Sequence, residues 1–234
     1  MEKKLEVKNL VVSFRTQAGK VQAVRNVSFD LYKDMNFSLT LRRKTEIIMV
    51  KPLKNRKWQV VSSEYLLRQG DWCTVRRDTV KLPSGVIIPH WYVFEFPTWA
   101  NVIAITKEGK MVLVSQYRHG LGETSYELCA GMVDPTDPSP MDGAKRELEE
   151  ETGFGGGRWS LFMTSSANPS NHNNLNYTFL AEDVEQITER HPEESEDLEV
   201  HLFTQEEVRE ILERGEMIQA MHTAPLWRYF AEKK

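Results

Sequence analysis

Three glutamates at helical spacing could bind a divalent cation. Residues 146–154 read RELEEETGF, so Glu147, Glu150 and Glu151 stand at i, i+3 and i+4 on one face of a helix. Like charges at i and i+4 destabilise an isolated helix by about 0.2–0.5 kcal/mol, so this density indicates a cation that compensates them. Mg²⁺ prefers oxygen ligands and often shares its coordination sphere with substrate phosphates. The alternative is a solvated acidic helix with no ligand.

The elements that position these carboxylates are a strand, a glycine loop and a helix. Ser139 and Pro140 are typical of a helix N-cap and first helical residue, with Asp142 three positions past the cap. Gly153 supplies the C-terminal stop. Upstream, residues 126–131 read YELCAG, a strand-like stretch that ends in glycine. The sequence therefore predicts a helix of about three turns that follows a strand and a loop.

This arrangement resembles the Nudix box, which runs Gly, five residues, Glu, seven residues and then R-E-apolar-x-E-E-x-G-apolar. The second half matches at every fixed position from Arg146 through Phe154. The first half departs in two ways. Gly131 lies one residue farther from Arg146 than the pattern allows, and Pro138 fills the position of the isolated glutamate, with Asp137 beside it. In the family that glutamate is mainly structural, so the departure concerns loop geometry more than metal binding.

A second similarity narrows the family branch. Residues 116–118 (QYR) and 127–131 (ELCAG) resemble the QYR and E-L-P-A-G segments of the ADP-ribose pyrophosphatase branch, with Cys129 where proline is usual. The resemblance covers residues from about 58 to 230. It implies an α/β fold, a Nudix-type α/β/α sandwich with a mixed sheet, to which we expect an N-terminal antiparallel β segment to be added.

The resemblance also implies roles for individual residues. Glu147, Glu151 and the carbonyl of Ala130 would bind Mg²⁺, with Mn²⁺ as the alternative cation. Glu150 would be a further ligand or would orient water. Arg146 would orient a glutamate through a charge-assisted hydrogen bond.

Hydrolysis of a phosphoanhydride also needs a base that activates water. The acidic loop at residues 193–197 (EESED) precedes a predicted strand, and its place resembles that of the pyrophosphatase loop whose glutamate activates water. Glu194 and Glu196 are the two candidates, with Glu150 as the substitute if neither acts. The alternative is a charged surface loop that is merely solvated.

Three residues are expected to contact the substrate. Arg118 is the best phosphate ligand, because a guanidinium offers a bidentate fork to phosphate oxygens. Its alternative role is a salt bridge to Glu127, which is itself a candidate for substrate binding. Arg77 could reach substrate across a dimer, and its alternative is a place on an exposed strand pair with Arg76.

Composition and charge exclude several classes of protein. The chain has 234 residues, of which 40% are hydrophobic and 27% charged, enough for one sizeable core plus appendages. Its net charge of −4 argues against general affinity for nucleic acid. No apolar run approaches the length of a membrane span, and the N-terminus develops no signal-type apolar region. We therefore expect a cytoplasmic protein without nucleic-acid or membrane partners.

The chain divides into two parts. Residues 1–48 are expected to be an appended leader or β-hairpin, similar to the opening hairpin of a peptide-import ABC transporter ATPase but without its phosphate-binding loop. The alternative is an accessory hairpin that packs on the main domain. Residues 49–234 would form the Nudix hydrolase domain, with an antiparallel strand-rich part at 49–96 and a catalytic core at 97–234. In the resembled branch the strand-rich part often contributes to a homodimer interface, so we expect a homodimer.

The function implied is metal-dependent hydrolysis of a nucleoside diphosphate linked to another moiety. The first substrate expected is an ADP-ribose-like compound, which would give AMP and ribose 5-phosphate. Another nucleotide-sugar or dinucleotide pyrophosphatase is the alternative among enzymes. A catalytically silent nucleotide-sensing domain is the alternative from another class. Pro138 and the extra residue after Gly131 favour silence, whereas the intact glutamates argue against it.

Overall fold

A computed structural model describes residues 3–16, 19–32, 39–41, 47–49, 53–70, 73–191 and 197–233. The chain divides into two compact units, Met1–Lys57 and Trp58–Lys234. In the first unit, strands β1 (Lys3–Thr16) and β2 (Gly19–Tyr32) pair antiparallel, as do the short strands β3 (Leu39–Leu41) and β4 (Ile47–Met49). The predicted N-terminal antiparallel segment is therefore confirmed.

The second unit begins with a three-stranded antiparallel sheet. Its strands are β5 (Gln59–Arg68), β6 (Thr74–Lys81) and β7 (Ile87–Glu95), in that order across the sheet. The turn between β6 and β7 ends at Gly85, whose φ of 90° is in the left-handed region that glycine favours. Every residue of β5 is exposed, so this strand forms an open edge of the sheet.

The main sheet has eight strands and contains one parallel pair. Its strands are β8 (Trp99–Thr106), β9 (Met111–Arg118), β10 (Glu123–Glu127), β11 (Cys129–Met132), β12 (Phe154–Gly155), β13 (Arg158–Ser165), β14 (Asn176–Gln186) and β15 (Leu198–Phe203). The order β10-β9-β8-β14-β12 forms the main path, while β11 pairs with β8, β13 with β14 and β15 with β9. Only β14 and β8 run parallel among these pairs, so the sheet is mixed as predicted.

Helices cover both faces of this sheet. They are α1 (Pro140–Thr152), α2 (Gln205–Arg214) and α3 (Ala220–Glu232). Val102 of β8 belongs to a buried cluster with Leu148 of α1. The next residue, Ile103, belongs to a second cluster with Val208 of α2 and Leu226 of α3. Since successive strand residues point to opposite faces, α1 lies on one side and α2 and α3 on the other. The predicted α/β/α sandwich is confirmed.

The ends of α1 are fixed by the residues that the sequence predicts. The Ser139 hydroxyl accepts a hydrogen bond from the Asp142 N–H at 3.3 Å, and Pro140 opens the helix. Gly153 ends it with φ 76°, and its N–H donates to the Glu149 carbonyl at 2.8 Å. In the described part of the chain, no helix is long and apolar enough to cross a membrane.

Candidate active site

Two glutamates of α1 have buried side chains at the candidate site. Glu147 and Glu151 expose only 7% and 4% of their surface. A Cβ added to Gly131 would lie 2.1 Å from the carboxyl carbon of Glu147 and 2.3 Å from each of its oxygens. The Glu147 carboxylate therefore occupies the space that a side chain at position 131 would fill. The glycine that follows Ala130 allows the helix carboxylate to contact the backbone of β11.

Arg146 connects the glutamates to the loop before the helix. Its Nη1 donates to Glu150 Oε2 at 2.8 Å, and its Nη2 lies 3.0 Å from Glu147 Oε1. The same Nη2 donates to the Met132 carbonyl at 3.0 Å and to Asp137 Oδ2 at 3.3 Å. Burial disfavours the charged guanidinium, but hydrogen bonding to Asp137 and the charge of Glu147 outweigh it and raise the pKa of Arg146. The predicted orienting role of Arg146 thus has a geometric basis.

Asp137, which stands beside Pro138, contacts Arg146 in the structure, although the sequence assigned it no role. Its carboxylate accepts hydrogen bonds from the Arg146 side chain and, at 2.8 Å, from the N–H of Asp134. The sequence contained a signal for it. When the pattern is counted forward from Gly131, its isolated glutamate falls at Asp137. When it is counted back from Arg146, the same position falls at Pro138. Asp137 thus lies at the position reached by counting forward from Gly131, and its carboxylate contacts Arg146.

The donor set on α1 and β11 fits a hard divalent cation that carries most of its own water. Among the residues described, no three His, Cys, Asp or Glu side chains converge closely enough to hold a metal by themselves. Mg²⁺ is usually bound through one or two carboxylates and completes its octahedron with waters and substrate phosphates. Glu147, Glu151 and the Ala130 carbonyl offer only oxygen donors, the type that Mg²⁺ and Mn²⁺ prefer.

Arg118 and Glu127 form a bidentate ion pair beside this donor set. Arg118 Nε donates to Glu127 Oε1 at 2.7 Å and its Nη2 to Oε2 at 2.5 Å. Glu127 is 2% exposed, whereas 44% of the Arg118 side chain is exposed. The salt bridge named as the alternative for Arg118 is formed, and it leaves the guanidinium accessible. Glu127 contacts Arg118 rather than open solvent.

An open cleft of about 240 Å³ lies next to these residues. Its lining includes Trp99, Arg118, Ala130, Gly131, Asn176 and His222. The cleft therefore brings the exposed guanidinium together with the carbonyl proposed to bind metal. Burial lowers the pKa of His222 to about 4, the charge of Glu127 opposes this, and the charge of Arg118 adds to it. The imidazole is consequently neutral near pH 7, a feature that the sequence did not indicate.

The remaining predicted residues lie elsewhere. Arg77 lies on β6, where its guanidinium forms an ion pair with Glu64 of β5, and it is not part of the cleft lining. This is the exposed strand pair given as its alternative. Glu194 and Glu196, the candidate bases, lie outside the described residues.

The chain on either side of this acidic loop is anchored at the site. His191 donates its N–H to the carbonyl of Glu150 at 2.9 Å. Leu198, the first residue of β15, pairs with Gln116 of β9. The described residues on either side of the loop therefore contact α1 and the strand that carries Arg118.

Comparison with known protein families gives two matches that together cover most of the second unit. Residues 96–222 match the NUDIX domain, and residues 58–94 match the nucleoside diphosphate sugar hydrolase N-terminal domain. The first match contains all of α1 and the cleft.

Individual relatives agree with these matches. The chain is 30% identical to an ADP-ribose pyrophosphatase of Mycobacterium tuberculosis over 169 residues, which are 71% of this chain and 80% of that protein. It is 32% identical to an ADP-ribose pyrophosphatase of Bacillus subtilis over 144 residues, which are 61% and 77% of the two chains.

A dipeptide transport ATP-binding protein of Bacillus subtilis is 64% identical over 39 residues, but these are 17% of this chain and only 12% of that protein.

A solved structure shares the fold. The crystal structure of an ADP compounds hydrolase superposes with a TM-score of 0.66 at 21% sequence identity. The superposition covers 78% of this chain and 98% of that one.

Proposed function

Because this chain belongs to the Nudix family of hydrolases, we propose that it cleaves the pyrophosphate of a nucleoside diphosphate linked to a second moiety with the aid of Mg²⁺ or Mn²⁺. The first substrate we propose is ADP-ribose or a similar compound, with AMP and ribose 5-phosphate as products. The observation that carries the proposal is the contact of the buried Glu147 carboxylate with the backbone at Gly131, one residue from the Ala130 carbonyl. The names of the relatives support the substrate class.

Glu147, Glu151 and the Ala130 carbonyl would hold the cation. Bound there, a divalent cation would neutralise charge that develops on the phosphate oxygens. Arg146 holds Glu150 and Glu147 from the side, which restricts both carboxylates to defined positions before any ligand arrives. Preorganisation of this kind avoids the cost of ordering these side chains during the reaction.

Arg118 would bind a phosphate of the substrate. Glu127 takes two of its donors and fixes the plane of the guanidinium, while the Arg118 side chain also lines the cleft. A planar guanidinium offers up to five N–H donors. Two of these donors hold the group against Glu127, and 44% of the Arg118 side chain is exposed at the cleft.

For water activation we propose a glutamate of the acidic loop, Glu194 or Glu196. The support is the position of the described residues that flank this loop. His191 is hydrogen-bonded to the helix that carries the metal ligands, and Leu198 pairs with the strand that leads to Arg118. Glu150 remains the substitute, since its carboxylate is held by Arg146 at the edge of the same helix.

The test is a substrate panel measured with a matched pair of variants. The panel contains ADP-ribose, other nucleotide sugars and dinucleotides, each with Mg²⁺, with Mn²⁺ and with EDTA. Glu151→Gln should lower turnover by orders of magnitude, because one anionic ligand is lost. Glu149→Gln is the same change at the variable position of the same motif, and it should leave turnover within about twofold of the parent. Equal activity of Glu151→Gln and the parent at saturating Mg²⁺ would overturn the assignment. An inactive parent on the whole panel would favour the silent nucleotide-sensing domain.

We further propose that two copies associate through the three-stranded sheet. Along β5 and β7 lie exposed apolar side chains such as Val60, Val61 and Ile87, each more than 50% exposed. Exposed apolar side chains on an open strand edge are typical of an interface between chains. Across such an interface Arg77 would reach the partner's substrate. Light scattering should give a dimer for the parent and a monomer for Val60→Lys, and a monomeric parent at micromolar concentration would refute the proposal.

A further inference from the structure

The C-terminal helix contains a proline that leaves a carbonyl without its helical donor. Pro225 lies inside α3, five residues after its first residue, Ala220. Proline has no N–H, so the usual hydrogen bond to the carbonyl four residues earlier cannot form, and the ring crowds that carbonyl. The carbonyl belongs to Met221, a residue only 7% exposed. Because buried carbonyls require a donor, Met221 needs one from outside the helix.

Asn101 supplies this donor from the centre of the sheet. Its Nδ2 donates to the Met221 carbonyl at 2.9 Å across a separation of 120 residues. Asn101 is completely buried on β8. It pairs with Ala130 of β11 on one side and with Thr178 of β14 on the other. The first turn of α3 is therefore bonded to the sheet row that carries the proposed metal-binding carbonyl.

This bond places the next residue of α3 against the ion pair of the cleft. His222 is 3% exposed, and its Nδ1 lies 3.7 Å from Glu127 Oε2. Glu127 in turn holds Arg118 by two hydrogen bonds. Met221 and His222 both line the cleft together with Arg118. The contacts thus run without interruption from Asn101 through the first turn of α3 to the guanidinium.

We propose that Asn101 and Pro225 are paired positioning residues: the proline frees the Met221 carbonyl and the asparagine captures it, which sets His222 and the Glu127–Arg118 pair for substrate. The inference deepens the proposed function and rests on it, because Arg118 is taken to bind a substrate phosphate. It assigns a role to two residues that touch neither substrate nor metal. Loss of the bond should weaken substrate binding through Arg118. It should change kcat little, because the proposed metal ligands on α1 are not part of this contact.

A double-mutant cycle between the two positions tests the pairing. Asn101→Leu removes the donor and leaves the Met221 carbonyl unsatisfied. Pro225→Ala restores a backbone N–H that can bond to the same carbonyl within the helix. We expect Asn101→Leu alone to raise KM for ADP-ribose at least about fivefold, to change kcat by no more than about twofold, and to lower Tm by about 3 °C or more. In the Pro225→Ala background both effects of Asn101→Leu should largely disappear.

Thr178→Val serves as the matched control. Thr178 is fully buried in the same sheet row as Asn101, and its hydroxyl bonds to Asn176 rather than to Met221. Its removal should change Tm equally with and without Pro225→Ala. If Asn101→Leu does not fold, Asn101→Ala takes its place in the cycle. If Asn101→Ala is unfolded as well, addition of Pro225→Ala should restore folding. A combination that stays unfolded would overturn the pairing.

The failure of this inference can be told from failure of the proposed function. If the parent hydrolyses no compound of the panel, the proposed function fails, and the cycle is read through Tm and the dissociation constant of ADP measured by calorimetry. Additive effects in Tm would overturn the pairing. Coupling in Tm without any change in KM or ADP affinity would also overturn it, because the bond would then serve stability alone.

Discussion

Gly131→Ala is the sharpest perturbation of the proposed metal site, because it adds a single methyl group at a known distance from one ligand. The added Cβ would lie 2.1 Å from the Glu147 carboxyl carbon, whereas ordinary van der Waals contact begins at 3.4 Å. The carboxylate must therefore move by about 1 Å or more. Gly131 is not among the glycines with positive φ, so alanine is compatible with its backbone conformation.

The expected result is a loss of activity without a matching loss of stability. A misplacement of about 1 Å in a catalytic arrangement can reduce the rate by about 10²-fold. The neighbour that must move is the end of a flexible side chain, so we expect the free energy of unfolding to change by less than about 1 kcal/mol. Glu147 would rotate away from Ala130, and the affinity for the divalent cation would fall with the rate.

The assay compares two glycine variants. Gly120→Ala is the control, since Gly120 has no positive φ and its added Cβ meets no atom within 4 Å. For each variant we would measure kcat as a function of Mg²⁺ concentration and the unfolding free energy by urea denaturation. A Gly131→Ala variant with the kcat and Mg²⁺ dependence of Gly120→Ala would refute the reasoning, because Glu147 would then not need its present position.

Three further predictions concern the surrounding groups. Asp137→Asn should lower kcat or Mg²⁺ affinity about 10- to 100-fold through loss of the charged partner of Arg146, and unchanged kinetics would contradict this. Glu194→Gln and Glu196→Gln should be unequal, with kcat falling at least about 10²-fold in one of them; near-normal kcat in both would reduce the loop to a charged surface. The pKa of His222 is about 4 in the folded state, against an ordinary 6.5. As the pH falls, the unfolded chain therefore binds the proton before the folded one does. The contribution of His222 to the unfolding free energy is complete above pH 6.5 and declines by about 3 kcal/mol towards pH 4. In His222→Gln that part of the decline should vanish in urea denaturation at a series of pH values, and an identical pH dependence would disprove it.

Local signals in the sequence were sufficient for the elements that carry the site. Ser139 and Gly153 mark the ends of α1 through side-chain and backbone hydrogen bonds within a few residues, so the chain itself specifies them. Likewise, most of β8 and the first half of β9 are apolar, and a turn that contains Gly109 joins the two strands. Glu147 and Glu151 follow from helical spacing once α1 is fixed.

Some details of the strands and loops follow no local pattern in the sequence. Strand β5 has no alternation of buried and exposed residues, because both of its faces are exposed. Strand β13 contains an irregularity between Leu161 and Met163 that interrupts its period. The glycines at 155–157 predict a break, whereas in the structure Gly155 belongs to β12 and a Cβ on Gly157 would lie 2.3 Å from the Glu182 carbonyl oxygen. Close approach, rather than flexibility, explains that glycine.

Contacts between distant parts of the chain were also beyond local reasoning. The hydrogen bond from Asn101 to Met221 and the approach of His222 to Glu127 join residues separated by about a hundred positions. Neither side chain carries a signal of its partner in the sequence. The lowered pKa of His222 has the same origin, since it depends on burial and on charged neighbours that only the fold brings together.

The departure of the box from its pattern gives no physical reason for a silent domain. The extra residue is accommodated before α1 begins, in a turn where the Asp137 N–H donates to the Asp134 carbonyl at 2.9 Å and the Asp134 N–H donates to the Asp137 carboxylate at 2.8 Å. This reciprocal pair directs the carboxylate towards Arg146. On the helix side of this turn, Glu147 packs onto Gly131 of β11. Both departures from the pattern therefore lie in a turn that places a carboxylate at Arg146, which argues against a silent domain, and we propose that Asp137 takes the place of the missing glutamate.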